Sequence, residues 1–597
     1  MSTIRLTAAQ ALTRYLAAQF AENGQRLFAG VWAIFGHGNV AALGEALYAQ
    51  RDTLPTFRAH NEQAMAHVAI AFAKASRRRR MMACTSSIGP GASNMLTAAA
   101  VAHVNRLPVL FLPGDVFASR RPDPVLQQVE NWSDATVSVN DAFRPVSRFF
   151  DRLTRPEQLL TALPRAMQVL TDPAECGPVT LSLCQDVQAE AFDWPEAFFA
   201  ARIWHTRRPP PDARELAAAA DALRAARCPL IIAGGGVFYS EAESDLARFA
   251  GAHGVPVAET QAGKGCLANT HDLNLGAIGV TGTEAANRAA ANADVILAIG
   301  TRLQDFTTGS RALFRGRLIG LNVQPFDAGK HDAQPLVADV REGLAALTAA
   351  MGSHRAPARW RKQVAAWREV WQPTAAAALA GGTRTGLPSD AAVIGAVRRG
   401  AADRSVVVCA AGGLPGELHK LWPADGPGSY HLEYGYSCMG YEIAGGLGVK
   451  MADPSREVIV MVGDGSYLMM NSEIATSVAT GLKLTVILLD NGGFGCINRL
   501  QQATGGAAFN NLVPHGVDLR AHAAALGAIA ETATDLAALE DAVRRARTAA
   551  RTTVIVIETD PVASTEAGGA WWDVAVPEVS DREQVRAARA AYQAARA

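Results

Sequence analysis

The sequence has no cysteine pattern typical of a metal centre or a redox motif. Its eight cysteines include no Cys-x-x-Cys pair and no zinc-type spacing. We therefore expect reduced thiols, as in a cytoplasmic protein. No apolar run approaches the length of a membrane span, and residues 1–14 have amphipathic helical spacing instead of the apolar core of a signal peptide. These absences favour a cytoplasmic location and argue against a membrane as partner.

An excess of charge of either sign is absent as well. Lys plus Arg and Asp plus Glu number 56 each, so no overall field would attract nucleic acid or anionic lipid, and neither is an expected partner. The one basic cluster, Arg77-Arg78-Arg79-Arg80, is interpreted as a solvated loop between a helix and a strand. The composition, 49% hydrophobic and 19% charged, is that of an ordinary globular enzyme.

At 597 residues the chain is too long for a single core. Short apolar strands, among them 81–85, 108–112 and 179–183, alternate with helical stretches. This alternation predicts the α/β fold class, with three doubly wound parallel-sheet domains covered by helices on both faces. The predicted domains are residues 1–195, 212–352 and 385–575, with a proline-rich link at 208–211, a helical connector near 355–382 and a helical tail at 576–597.

The second domain contains three consecutive glycines directly after a predicted strand, Gly234-Gly235-Gly236. They lack the Gly-x-Gly-x-x-Gly spacing of a dinucleotide site, and no ribose-binding acid is evident after them. We interpret them as a tight strand-to-helix turn, with cofactor binding in this domain as the less favoured alternative.

The most informative stretch is 458–495, where two apolar strands each end in oxygen-bearing side chains. The first strand is followed by Gly463-Asp464-Gly465-Ser466 and the second by Asp490-Asn491-Gly492-Gly493. Because the carboxyl ends of parallel strands share one edge of a sheet, Asp464 and Asn491 can converge. A carboxylate and an amide oxygen are a partial shell for Mg²⁺, which completes its six oxygens with phosphate and water. The glycines would let the backbone approach a phosphate closely, so the stretch predicts a diphosphate held through magnesium.

These two segments resemble the diphosphate-binding signature of thiamine diphosphate-dependent enzymes. The family usually has two asparagines in the second segment, whereas this chain has Asp490-Asn491 and keeps the ligand position. The resemblance implies that Asp464, Asn491 and the Gly493 carbonyl bind Mg²⁺, and that Gly463, Gly465 and Ser466 also belong to the cofactor site. It also implies the family's domain order, in which pyrimidine-binding, central and diphosphate-binding domains follow one another.

Two further segments resemble cofactor-contacting parts of the same family. In Arg58-Ala59-His60-Asn61-Glu62-Gln63-Ala64-Met65-Ala66-His67, Glu62 matches the glutamate that activates the aminopyrimidine ring, and it would be largely buried against that ring with a raised pKa. In Tyr436-Ser437-Cys438-Met439-Gly440, Met439 matches the apolar wedge that bends the cofactor. A charge at a helix start and plain core packing are the ordinary alternatives for these two residues. The family binds its cofactor between subunits, so a homodimer or homotetramer is implied.

Three loops at strand ends of the first domain are candidate substrate contacts. His37 lies between two glycines directly after a strand, where it can act as acid or base near neutral pH. A turn histidine bonded to backbone is an equally favoured alternative. Asn39 lies in the same loop, Ser87 in the glycine-rich loop 85–94 and Gln127 in the loop 123–128. Ordinary packing turns would have a similar composition.

Segments across nearly the whole chain resemble the family of 3D-(3,5/4)-trihydroxycyclohexane-1,2-dione hydrolases of myo-inositol catabolism. They include Phe-Gly-His-Gly-Asn, Ala-Cys-Thr-Ser-Ser-Ile-Gly-Pro-Gly-Ala and Gly-Phe-Gly-Cys-Ile-Asn-Arg-Leu-Gln. The resemblance implies hydrolytic ring opening of a cyclic 1,2-diketone to 5-deoxy-glucuronate, with His37 as the base for water and the cofactor as electron sink. Acetohydroxyacid synthase-like joining of 2-keto acids is an alternative. A non-catalytic relative would be expected to lack Glu62, Asp464 or Asn491, and all three are present.

Overall fold

The computed structural model describes residues 2–381 and 386–596, and these form two compact units. The first unit contains the chain up to Arg207 together with Gly440–Ser455 and Met470–Leu482. The second contains Arg208–Met439, Arg456–Met469 and the chain from Lys483 onwards. Residue 385, the predicted start of the third domain, lies outside the described residues. No helix in the part of the chain that the structure describes has the length and apolar character needed to cross a bilayer.

The first unit is built on a six-stranded parallel sheet. Numbered along the chain, its strands lie in the order 2-1-3-4-6-5. In sheet order they are Thr56–Phe57, Phe28–Ile34, Met81–Ser86, Val109–Asp115, Val179–Cys184 and Phe149–Leu153. Two small sheets pair Thr3–Thr7 with Ala191–Pro195 and Gln19–Ala21 with Arg202–Trp204. The three strands Met81–Ser86, Val109–Asp115 and Val179–Cys184 are buried at every residue, which explains why they are visible as apolar runs.

Helices surround this sheet, and two helices of the unit come from the third predicted domain, of which Tyr441–Ala452 packs on the helix Glu62–Ala75. The α-helices are Ala8–Ala17, Ala42–Ala49, Glu62–Ala75, Pro90–Asn94, Leu96–Asn105, Leu159–Thr171, Gln185–Ala189, Tyr441–Ala452 and Glu473–Thr480, and the 3₁₀ helices are Val139–Val146, Pro156–Gln158 and Glu196–Phe199. The run Arg77-Arg78-Arg79-Arg80 connects a helix to a strand, as predicted; Arg79 is exposed and the other three arginines are partly buried.

Within the first unit, the helices Glu62–Ala75 and Tyr441–Ala452 pack at very short distance. A Cβ atom on Gly448 would clash with the carbonyl oxygen of Val68 and lie 2.7 Å from the Ala71 Cβ. The absence of a side chain at Gly448 therefore lets the two helix backbones meet. Every residue from Ala64 to Ala73 is buried, as is required of a helix enclosed on several sides.

The second unit contains two six-stranded parallel sheets. The first has the strand order 3-2-1-4-5-6 along its own segment of the chain. In sheet order its strands are Asn274–Ala277, Val257–Glu259, Pro229–Ala233, Val295–Ile299, Arg317–Asn322 and Gln334–Val337. Its α-helices are Ala213–Ala225, Gly235–Tyr239, Glu243–His253, Glu284–Asn292, Asp305–Thr308, Pro325–Ala328, Val340–Met351 and Ala358–Ala380, with a 3₁₀ helix at Lys330–Asp332.

The order 3-2-1-4-5-6 is also that of dinucleotide-binding domains, but the local packing here supports the turn interpretation of the glycines. The Gly236 amide donates to the Gly300 carbonyl at 2.9 Å, and a Cβ on Gly236 would lie 2.5 Å from the Gly300 Cα. The acid that ends the second strand, Glu259, is buried and accepts the amides of Gly265 and Leu267. The glycines therefore allow the loops at the ends of two strands to pack against each other.

The second sheet of this unit has the order 2-1-3-4-6-5, the same as the sheet of the first unit. In sheet order its strands are Tyr430–Leu432, Val406–Cys409, Val458–Gly463, Thr485–Asp490, Thr553–Glu558 and Ile529–Thr532. Its helices are Asp390–Gly400, Leu414–Leu421, Asp464–Met469, Gly495–Ala503, Leu519–Ala525, Leu536–Thr548 and Glu583–Arg596. Three helix-flanked parallel sheets confirm the predicted α/β fold class.

Candidate active site

The carboxyl ends of two neighbouring strands bring the predicted metal ligands together. Val458–Gly463 and Thr485–Asp490 run in parallel, with Gly463 opposite Leu489. In the orientation that satisfies its neighbours, the Asn491 amide nitrogen donates to Asp464 Oδ1 at 3.3 Å and to the Gly493 carbonyl at 2.8 Å. The side chains of Asp464 and Asn491 and the carbonyl of Gly493 therefore lie side by side.

The donor set at this point suits a hard divalent cation. Asp464 is 1% exposed, and its Oδ2 accepts no hydrogen bond from any described residue. Burial and the neighbouring Asp490 raise the pKa of Asp464. A buried carboxylate oxygen that accepts no hydrogen bond costs free energy that a bound cation would recover. Oxygen donors from Asp464, Asn491 and Gly493 fit Mg²⁺, provided that the Asn491 amide turns its oxygen towards the ion.

The glycines on either side of Asp464 are needed for different reasons. No atom lies within 4 Å of the position that a Gly463 Cβ would occupy, so a phosphate could approach the backbone there. A Cβ on Gly465 would instead lie 2.6 Å from the Phe494 ring, so that glycine makes room for a neighbouring side chain. Ser466 is buried in the first turn of the helix Asp464–Met469.

Asp490 and His515 adjoin this site, and the sequence assigned a role to neither. His515 Nε2 lies 3.4 Å from Asp490 Oδ1 and 3.6 Å from Asp464 Oδ2. Its Nδ1 accepts the Val517 amide at 3.1 Å, so Nε2 is the nitrogen that carries a proton towards the two carboxylates. His515 lies in an irregular segment between two helices, where no apolar run or motif precedes it to attract attention.

Glu62 begins the helix that follows Thr56–Phe57, the second strand along the chain of the first unit's six-stranded sheet. Asn61 caps this helix by accepting the Ala64 amide at 3.1 Å. The Glu62 Oε2 accepts a hydrogen bond from the side-chain Nδ2 of Asn94 at 3.0 Å, and a Cβ on Gly91 would lie 3.3 Å from Oε1. The Glu62 carboxyl is partly exposed in this unit, so its expected burial against a pyrimidine ring stays a prediction.

The loop that contains His37 follows the strand Phe28–Ile34. The His37 side chain is exposed, and its Nδ1 lies 3.3 Å from Gln185 Oε1. Asn39 is buried, and its side chain accepts the Gly36 amide and donates to Thr85 Oγ1. These bonds favour a role for Asn39 in shaping the loop over direct contact with a substrate.

The loops of Ser87 and Gln127 meet the His37 loop at the same edge of the sheet. The Ser87 hydroxyl donates to Gln127 Oε1 at 3.4 Å and accepts the Gly38 amide at 3.4 Å. Gly89 has a φ of +58°, and a Cβ there would clash with the Gln127 carbonyl. The structure therefore brings His37, Ser87 and Gln127 together, with Asn39 beneath them.

Met439 lies at the end of a loop that a buried carboxylate organises. Met439 is partly buried, and it follows Ser437, whose φ is +56°. Glu433 is 2% exposed and accepts the amides of Tyr436 at 2.9 Å and Cys438 at 2.7 Å. Sequence reasoning missed Glu433, because a single acid after a short edge strand has no distinguishing pattern.

Comparison with known proteins identifies three thiamine pyrophosphate enzyme domains in the chain. The N-terminal TPP-binding domain matches residues 12–136, the central domain 216–347 and the C-terminal TPP-binding domain 410–557. The chain is 45% identical to a 3D-(3,5/4)-trihydroxycyclohexane-1,2-dione hydrolase of Geobacillus thermodenitrificans, with 98% of each chain covered. Hydrolases of the same name from Bacillus cereus and Bacillus anthracis are 43% and 42% identical, again over 98% of each chain. The chain therefore belongs to the thiamine pyrophosphate enzyme family, and within it to the family of the 3D-(3,5/4)-trihydroxycyclohexane-1,2-dione hydrolases.

Proposed function

We propose that this protein hydrolyses the carbon–carbon bond between the two ketone carbons of 3D-(3,5/4)-trihydroxycyclohexane-1,2-dione. The product is 5-deoxy-glucuronate, and the reaction belongs to myo-inositol catabolism in the cytoplasm. Relatives named for hydrolysis of this dione are 42–45% identical to nearly the whole chain. The observation that carries the proposal is the juxtaposition of Asp464, Asn491 and the Gly493 carbonyl, in a chain that also keeps Glu62 at its matching helix start.

The cofactors are thiamine diphosphate and Mg²⁺. Asp464, Asn491 and the Gly493 carbonyl would hold the ion, and the open space at Gly463 admits the phosphate oxygens. When bound, thiamine diphosphate supplies a nucleophilic carbon that also accepts the electrons of the breaking bond. Met439 is the side chain proposed to support the bend of the cofactor.

Glu62 and His37 are the residues proposed to move protons. Donation from Asn94 to Glu62 Oε2 leaves Oε1 to meet the nitrogen N1′ of the aminopyrimidine. The contact of His37 Nδ1 with Gln185 leaves Nε2 as the acceptor for a proton of water. The water oxygen bonds to one ketone carbon, the bond to its neighbour breaks, and protonation of the neighbour gives a carboxylate and an aldehyde. Ser87 and Gln127 are proposed to orient the ring hydroxyls.

We further propose a homodimer or homotetramer with the cofactor at a subunit interface. Large apolar side chains are exposed in the loop after the strand Val109–Asp115, with Trp132 at 93% and Leu126 at 74% exposure. Others are exposed close in sequence to the metal-ligand segments, with Phe509 at 74% and Met469 at 55%. Exposed apolar groups of this kind are typical of surfaces that another subunit covers.

Turnover of the dione by metal-stripped, cofactor-free protein tests the proposal. Loss of the dione is followed by absorbance and the product by mass, with and without added thiamine diphosphate and Mg²⁺. Ring opening only when both are present is the expected result. Consumption of pyruvate in place of the dione would contradict it and favour the synthase-like alternative.

A further inference from the structure

We infer that Gln185 is a positioning residue that holds His37 in the tautomer needed for proton abstraction from water. Gln185 lies at the carboxyl end of the strand Val179–Cys184, far from His37 in the sequence. Its Oε1 lies 3.3 Å from His37 Nδ1. This inference rests on the proposed function of His37 and adds a residue that no motif in the sequence indicates.

The chemistry of the contact sets the direction of the hydrogen bond. A glutamine Oε1 is an acceptor only, so Nδ1 of His37 must carry the proton and donate it. In neutral imidazole the other nitrogen, Nε2, then keeps its lone pair. Nε2 of His37 is thereby prepared to accept a proton from a water molecule, which can reach it because the side chain is exposed.

The helix Gln185–Ala189 forms a second hydrogen bond to the loop that contains His37. Gln188 is 3% exposed, and its Nε2 donates to the Gly38 carbonyl at 2.8 Å and to the Leu183 carbonyl at 3.1 Å. The loop backbone beside His37 is therefore tied to the same helix that carries Gln185. A base that must meet water in one orientation benefits when its own loop is fixed in this way.

The helix that carries Gln185 is itself anchored to the neighbouring strand end. Asp186 accepts the amides of Ala118 at 2.8 Å and Ser119 at 3.0 Å, and these bonds lower its pKa below the usual value against the effect of burial. Gln185 therefore projects towards His37 from backbone that is tied both to its own strand and to the segment after Val109–Asp115.

Two nearly isosteric substitutions separate positioning from mere packing. Gln185→Leu removes the acceptor, and we expect kcat for ring opening to fall roughly tenfold with little change in KM. Gln185→Glu keeps an acceptor oxygen and adds a charge that favours imidazolium, so most of kcat should return at high pH. The acid limb of the kcat/KM profile should then move upward by roughly one pH unit.

Action through His37 predicts non-additivity. In a His37→Ala background, Gln185→Leu should cause no further loss of kcat, because the group that it positions is gone. Equal losses in the two backgrounds would overturn the inference, as would wild-type kcat and an unchanged pH profile in both Gln185 variants. An equal loss of kcat in Gln185→Glu and Gln185→Leu would also overturn it.

A readout that needs no dione separates this inference from the proposed function. Carbethoxylation of His37 by diethylpyrocarbonate, measured by peptide mass spectrometry, should shift to higher pH in Gln185→Glu. The matched charge control is Gln593→Glu, at an exposed glutamine of the C-terminal helix. A shift in Gln185→Glu alone, in a protein that does not open the dione, would leave the contact standing while the proposed function fails. No shift would overturn the inference whatever the activity.

Discussion

The buried carboxylate of Asp464 has the most specific consequence of any single residue. Asp464→Asn keeps the side-chain shape but removes the charged ligand, so affinity for thiamine diphosphate in the presence of Mg²⁺ should fall roughly 100-fold or more. The unfolding temperature of the cofactor-free protein should not fall, since burial and Asp490 already raise the pKa of Asp464 and disfavour its ionised form. Titration calorimetry measures the affinity.

Asp541→Asn is the matched control for that substitution, because Asp541 is exposed and forms an ion pair with the neighbouring Arg544 on the surface. It should bind cofactor like the wild type. Wild-type affinity in Asp464→Asn would remove Asp464 from the ligand set and leave the proposed magnesium site without its charged member.

Asp390 is a buried acid whose ionisation opposes folding. Burial raises its pKa to about 6, with Arg499 acting in the opposite direction and Glu417 and Asp560 in the same one. Because the folded pKa exceeds the unfolded one, stability falls as pH rises from about 4 to about 6 and stays lower above that. Asp390→Asn should therefore stabilise the protein at pH 7.5 by about 2–3 kcal/mol, an advantage that vanishes below pH 4.

Unfolding temperatures of wild type and Asp390→Asn, measured by calorimetry from pH 4 to 8, test this expectation. Asp541→Asn again serves as the control and should change the unfolding temperature little at any pH. A lower unfolding temperature for Asp390→Asn at pH 7.5 would mean that the Asp390 carboxylate is a net stabilising partner of Arg499.

At the scale of secondary-structure elements, the contact between helices Glu62–Ala75 and Tyr441–Ala452 depends on one glycine. Gly448→Ala would place a Cβ against the Val68 carbonyl, so the helices must separate, and we expect a loss of about 1–3 kcal/mol in stability. The displaced helix that contains Val68 also begins with Glu62, so the affinity for the cofactor should fall together with the stability. Thermal unfolding and cofactor titration measure the two effects.

Gly251→Ala is the matched helical control. Gly251 lies inside the helix Glu243–His253, and no atom lies within 4 Å of the position of an added Cβ. Alanine should stabilise that helix by roughly 0.5–1 kcal/mol, the opposite sign to Gly448→Ala. Equal effects of the two substitutions would show that helix propensity, and not the close helix contact, decides the outcome at Gly448.

Elements buried on both faces could be predicted from the sequence, and edge elements could not. The predicted strands 81–85, 108–112 and 179–183 correspond to Met81–Ser86, Val109–Asp115 and Val179–Cys184. The edge strands Thr56–Phe57 and Phe149–Leu153 were not predicted, because partly exposed residues form no continuous apolar run. The sheet neighbours of Tyr430–Leu432 and Ile529–Thr532 were likewise fixed only by tertiary pairing.

At the scale of the whole molecule, two buried histidines make both units sensitive to acid. His67 lies in the first unit and His419 in the second, and burial lowers the pKa of each to about 3. Because each folded pKa lies below the unfolded value, stability is present above about pH 6.5 and is lost as pH falls. Between pH 7.5 and 5.5 we expect a loss of roughly 2–3 kcal/mol, or about 2 °C in unfolding temperature for a chain of this length.

Calorimetry at the two pH values measures this loss. Asp390 gains a proton in the folded state over the same range and offsets part of it, so the loss should be larger in Asp390→Asn than in the wild type. An unchanged unfolding temperature between pH 7.5 and 5.5 in both proteins would mean that neither histidine is held neutral by burial.

The sequence by itself determined the fold class and membership of the thiamine pyrophosphate enzyme family. Strands buried on both faces are apolar along their whole length, and the proposed ligands Asp464 and Asn491 lie in short contiguous segments that directly follow such strands. Both signals are local, so they can be recognised in the sequence. Glu62 and Met439 were recognisable for the same reason, since their motifs are contiguous segments that resemble a known family.

Only the tertiary structure determined which side chains contact the candidate site residues. Gln185 next to His37 and His515 next to Asp464 are contacts between side chains that lie far apart in the sequence, and no local pattern encodes them. The Asn39 side chain accepts the Gly36 amide and donates to Thr85 Oγ1 in the neighbouring strand, contacts that the sequence did not indicate, and its contact with substrate stays a prediction. The physical reason is that a hydrogen bond between distant segments depends on the packing of the elements that carry them, and this packing is settled by the core of the whole domain.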